Sequence, residues 1–174
     1  MEIAICGTGP SLREIPMSFR GEIWGVNDIY KLIRRLKMSR LFFMDTLEQK
    51  QKSTPDFAER LNGLKIPIIT QKHYPEIPLS EEYPLKQVIE KTKCDYFANT
   101  ICYEIAYAIW RGDVEKINFY GVDFKGHPTY EKFRAGTEFW MGLAKGLGIE
   151  IFVPKESYIL KTHNNLMYGY NTPY

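Results

Sequence analysis

A chain of 174 residues, 44% hydrophobic and 25% charged, has the size and make-up of one globular domain with a substantial core. Its net charge of +2, with no basic block, argues against a nucleic-acid partner. No stretch reaches the roughly 18 apolar residues of a membrane helix, and the chain opens on a strand-like run without a signal-peptide pattern. Three cysteines without metal-ligand spacing fit reduced thiols in a cytoplasmic protein.

In chain order, EIAIC (2–6) predicts a first strand, followed at once by Gly7-Thr8-Gly9-Pro10-Ser11. Two glycines around a hydroxyl residue imply a backbone kept bare for the close approach of a ligand. GEIWGVN (21–27) predicts a second strand, and the DIYKLIRRLK that follows has helical spacing. SRLFFMD (39–45) predicts a third strand, residues 46–63 a helix broken near Pro55, and KIPIIT (65–70) a fourth strand. Residues 71–98 contain three prolines and read as one irregular segment, a lid or binding loop. A helix is predicted over 99–113, a fifth strand over KINFYGVD (116–123), a closing helix over 129–148 and a sixth strand over IEIFVP (149–154). The aromatic tail 162–174 is expected to pack on the body or on a partner chain, which leaves homo-oligomerisation open. The alternation predicts a single domain over 1–174: an α/β sandwich with a mainly parallel sheet of five or six strands, its first strand central.

Open parallel sheets bind ligands beyond the carboxyl ends of their strands. Those ends are polar here: Gly7 to Ser11, Asn27-Asp28, Asp45-Thr46 and Gly121-Val122-Asp123-Phe124. The helix at Asn99-Thr100 opens toward the same edge, where its first N–H groups favour an anion. Helix capping accounts for Asn27, Asp28, Asp45 or Asn99 taken singly; their convergence predicts a nucleotide or phosphorylated ligand. The aromatics Tyr74, Tyr83, Tyr96 and Tyr130 could stack on a base, and His73 lies in the lid segment. His163 belongs to the tail. Cys6, inside a strand, is a poor nucleophile.

The stretches AICGTGPSLREIP, WGVND, ANTICYEIAYAIWRGDVEKINFYGVDF and AGTEFWMGLAKGLGIEIFVPKESYIL together resemble a bacterial sialyltransferase family. That family has a Rossmann-like fold and uses a cytidine-monophosphate sugar without a metal or other cofactor. A wider group of similar outline includes 6-hydroxymethylpterin pyrophosphokinases and proteins of glycan loci and phages. The resemblance implies that Gly7, Thr8, Gly9, Pro10 and Ser11 meet the donor phosphate, with Thr8 where the family has asparagine. It also implies that Asn27 bonds the phosphate or ribose, that Asn99 and Thr100 hold the nucleotide, and that Gly121 and Asp123 wall the base or sugar. His127 falls where the family draws its catalytic histidine, the general base on the acceptor hydroxyl.

Two differences stand out. Only KGHPTYEKF lies where the family inserts a long lid, and Asp45 replaces an asparagine. A carboxylate facing a phosphate needs an intervening cation, so Asp28, Asp45 and Asp123 could hold magnesium. The leading expectation is a glycosyltransferase-like enzyme. The alternatives are a magnesium-dependent pyrophosphokinase or phosphoryl transferase, and a non-catalytic nucleotide-binding phage accessory module.

Overall fold

The computed structural model describes residues 1–33, 37–124, 128–162, 165–170, 172 and 173. Its strands are β1 (Glu2–Cys6), β2 (Glu22–Val26), β3 (Arg40–Phe43), β4 (Ile68–Thr70), β5 (Ser80–Glu82), β6 (Lys116–Tyr120) and β7 (Glu150–Phe152). Its α-helices are α1 (Leu47–Ser53), α2 (Phe57–Asn62), α3 (Leu85–Thr92), α4 (Thr100–Arg111) and α5 (Pro128–Gly146). All seven strands join one sheet in which every neighbouring pair is parallel. This is the expected Rossmann-like α/β sandwich with one strand more than anticipated.

The strand order is β5-β4-β3-β2-β1-β6-β7. The chain builds outward from β1 to β5, then crosses back to lay β6 on the other side of β1. The order therefore reverses between β1 and β6, which pair from Glu2↔Lys116 to Cys6↔Tyr120. A ligand crevice belongs at the carboxyl end of that pair.

Strand side chains alternate between two cores, as the period of two requires. Ile3, Ile5, Trp24, Val26 and Phe42 pack with Val88 of α3, Ile105 of α4 and Trp140 of α5. Ala4, Cys6, Ile23, Leu41 and Phe43 pack on the other face with Ile29, Leu47, Phe57 and Leu61. Full burial of each large apolar side chain stabilises by about 1.5–3 kcal/mol. Helices on both faces explain why the inner strands are apolar throughout.

Two expectations about elements need correction. The 71–98 segment is not irregular, because it contains β5 and α3. β5 escaped notice because it is an edge strand whose two glutamates are exposed and whose serine alone is buried; charge on an edge discourages further pairing. The helical spacing after β2 yields only a 3-10 turn over Asn27–Lys31, in which Ile29 alone is buried, and Arg34, Arg35 and Leu36 lie outside the described residues. The remaining helices follow their signals: α1 and α2 break around Pro55, and α4 ends at Gly112 with φ +77°. Among the described residues no helix is long and apolar enough to cross a membrane.

Candidate functional site

The loop after β1 is fastened to the loop after β6 rather than standing open. Gly7 N–H donates to the Tyr120 carbonyl and Gly9 N–H to the Gly121 carbonyl, both at 2.8 Å. Ser11 closes the contact. Its N–H and hydroxyl donate to the two Asp123 carboxylate oxygens, while its hydroxyl oxygen accepts from Gly121 N–H at 2.8 Å. A Cβ at Gly7 would overlap the Gly121 carbonyl, and one at Gly9 would overlap the Asp123 carboxylate and lie 2.8 Å from the Gly121 oxygen. The bare backbone is thus required by packing within the protein. That corrects the expectation that both glycines serve a ligand's approach.

Above this joint lies a cavity of about 710 Å³ at the β1–β6 reversal, within the range that takes small ligands. Of the residues expected to bind, Gly7, Thr8, Gly9, Pro10, Asn27, Asp45, Asn99, Thr100, Gly121 and Asp123 are all on its wall. Ser11 lies beneath, fully buried. The wall also includes the aromatic residues Phe97, Tyr103, Phe124, Tyr130 and Phe133. Of these, Tyr130 was anticipated as a stacking residue and Phe124 as part of a strand end. Phe97 stacks on Tyr103 with centroids 4.3 Å apart and planes 14° apart, and Phe124 meets Tyr130 edge-on at 6.3 Å.

Few donors remain open to a ligand. Asn99 caps α4: its carboxamide oxygen accepts from Cys102 N–H at 3.2 Å, and its amide donates to the Phe133 carbonyl and the Thr137 hydroxyl on α5. The Asn99 side chain is therefore a structural tie, contrary to the expectation that it holds the nucleotide. The cap leaves the Thr100 and Ile101 N–H groups, first in the helix, without an acceptor among the described residues. Thr8 N–H, between the two bonded glycines, is likewise unmatched there. Three backbone N–H groups on one cavity wall suit an anion. Asn27, held at φ +48°, adds a buried carboxamide oxygen with no partner.

The expected magnesium trio does not assemble. Lys50 at 2.7 Å and Lys31 at 3.1 Å hold the Asp28 carboxylate; although burial alone would raise its pKa, those lysines keep it below the usual aspartate value. Asp123 is committed to Ser11, which leaves Asp45 as the one carboxylate of the three exposed at the cavity without an ion pair among the described residues. Among the described residues no group of three His, Cys, Asp or Glu could hold a metal ion. His127 and His163 lie outside the described residues. His73 bonds the Ser80 carbonyl at 2.9 Å, away from the cavity wall. Tyr74 and Tyr83 are buried, their hydroxyls bonded to Leu47 N–H and the Tyr103 carbonyl, and neither they nor Tyr96 are on the cavity wall.

One group in α4 carried no signal by spacing or motif. Glu104 has no exposed surface, and neither carboxyl oxygen has a hydrogen-bond partner. Burial pushes its pKa well above the usual glutamate range, which favours the protonated, neutral form. Burial pushes the Cys6 thiol up as well, and with no exposed surface it is a poor nucleophile. No protein-family model, curated protein or solved structure matches the chain.

Proposed function

We propose that this chain is a nucleotide-binding transferase of glycosyltransferase type, which takes a sugar activated by cytidine monophosphate or a similar nucleotide. The observation that carries the reading is the joining, around one cavity at the β1–β6 reversal, of three N–H groups unmatched among the described residues and two aromatic pairs. A phosphate fits the N–H groups of Thr8, Thr100 and Ile101. The aromatic side chains offer faces and edges to a base or sugar ring.

In such a transfer the acceptor oxygen loses its proton to a base and attacks the anomeric carbon. The bond from that carbon to the phosphate oxygen breaks, and the electron pair leaves with the nucleotide. Donors already aimed at the phosphate stabilise the charge that develops there. We assign His127 as the base because it lies in sequence between Phe124 and Tyr130, both on the cavity wall.

The test is nucleotide release from a panel of nucleotide-activated sugars, run with magnesium and with chelator. Release in chelator supports the glycosyltransferase reading, and release that requires magnesium supports phosphoryl-transfer chemistry using Asp45. Binding without turnover would point to a non-catalytic module. His127→Ala is expected to lower turnover by about a hundredfold or more with donor affinity nearly unchanged; wild-type turnover would remove the histidine from the mechanism.

A further inference from the structure

Glu104 is buried in α4, one helical turn beyond Thr100 and Ile101, which are on the cavity wall. One face of α4 runs antiparallel along β2, and its contacts give the register. Arg111 pairs with Glu22 at 2.9 Å, and Tyr107, one turn earlier, packs edge-on against Trp24 with centroids 5.7 Å apart. A further turn back, Glu104 falls level with Val26 at the end of the strand, and Thr100 falls beyond it. Val26, Asn27, Thr100 and Ile101 are all on the cavity wall. Helical side chains lean toward the helix N-terminus, so the Glu104 carboxyl is directed at that wall from behind. Two buried polar groups have no partner among the described residues: the Asn27 carboxamide oxygen, whose residue is on the cavity wall, and this carboxyl, which the register sets behind the same end of it.

A fully buried carboxyl with both oxygens unmatched is a cost that packing alone does not explain. Leaving one such polar group unsatisfied destabilises a fold by about 1–3 kcal/mol, and a leucine or methionine would fill the position without it. Local rules broken in this way concentrate where a ligand completes them. As an acid, a carboxyl carries one hydrogen-bond donor beside one acceptor, which complements a group presenting an acceptor beside a donor. A base edge has that pattern, with a ring nitrogen or carbonyl next to an N–H; a phosphate, which offers acceptors only, does not.

We propose that Glu104 is a specificity-determining residue of the cavity, whose carboxyl group takes two hydrogen bonds with the edge of the ligand's base. The inference rests on the nucleotide reading of this cavity. Glu104 has no surface of its own, so contact requires Val26 or Ile101 on the wall to rotate aside. The base then lies at the β2 end and the phosphate at the Thr8, Thr100 and Ile101 N–H groups.

The experiment compares binding of the four ribonucleoside 5′-monophosphates with binding of ribose 5-phosphate, which lacks a base, to wild type, Glu104→Gln and Glu104→Met by calorimetry. Wild type should bind at least one nucleotide more tightly than ribose 5-phosphate. Glu104→Met should weaken that nucleotide by about tenfold, the worth of two ordinary hydrogen bonds, and leave ribose 5-phosphate unchanged. Glu104→Gln, which keeps a donor beside an acceptor, should stay within about threefold of wild type on the same scale. Equal weakening of both ligands by Glu104→Met, or unchanged nucleotide preference, would overturn the assignment while the nucleotide reading stands. Failure of wild type to bind any of the five compounds would overturn both.

Discussion

Gly121→Val is expected to destabilise the fold by roughly 2–5 kcal/mol. Gly121 sits at φ +69°, a left-handed conformation that costs an L-residue about 1–2 kcal/mol. Its Cβ would overlap the carbonyl of Gly7 and come within 3.1 Å of Leu12 Cβ; the carbonyl is backbone and cannot rotate away, so overpacking adds about 1–3 kcal/mol. Gly9→Val should cost less, since Gly9 has an ordinary φ of −74° and overlaps chiefly the Asp123 carboxylate. Denaturant unfolding of both variants checks the order. If Gly9→Val folds with wild-type stability and loses only ligand binding, the glycine serves the ligand after all.

Glu104→Met should stabilise the fold by about 1–3 kcal/mol at acid pH, where the carboxyl is protonated in folded and unfolded chains alike, and by more toward neutral pH, by replacing an unmatched buried carboxyl with an apolar side chain of similar size. The gain should depend on pH. The unfolded chain releases the Glu104 proton above about pH 4.3, whereas the folded chain, with its pKa raised by burial, retains it. Wild-type stability from this group therefore falls by about 1.4 kcal/mol per pH unit from that point until the folded-state pKa is reached. Below the window both states are protonated and the slope vanishes. Other carboxylates with lowered values, such as Asp28 and Glu22, act in the opposite sense in both chains, so the difference between wild type and Glu104→Met isolates the residue. A difference independent of pH would show that Glu104 titrates normally.

The parallel sheet was legible because Ile, Val and Phe runs alternate with helical spacing, and both faces of each inner strand need covering. The polar strand ends led to the cavity by the same rule. β5 was hidden because an edge strand of Ser80, Glu81 and Glu82 has no apolar alternation to read. The roles of individual polar residues were less accessible. Asp123 and Asn99 stand on the cavity wall and Asp28 does not, and each spends its side chain on a protein partner fixed by tertiary contact: Ser11, the start of α4 and Lys50. The glycine loop illustrates the same limit. A sequence reveals that the backbone must be approached closely, and only the fold reveals that the approaching group is the backbone at Gly121. Phe97 and Phe133 carry no pattern that separates them from core residues, and nothing in the spacing of α4 singles out Glu104.

The central claim, a phosphate-binding cavity at the β1–β6 reversal, is tested most directly by amide chemical shifts of the 15N-labelled chain titrated with cytidine 5′-monophosphate. The account predicts that the Thr8, Thr100 and Ile101 amides move most, with saturation at one equivalent site, while amides along β4, β5 and β7 stay still. Unmoved Thr8, Thr100 and Ile101 amides at millimolar nucleotide, or movement centred on another part of the surface, would contradict it.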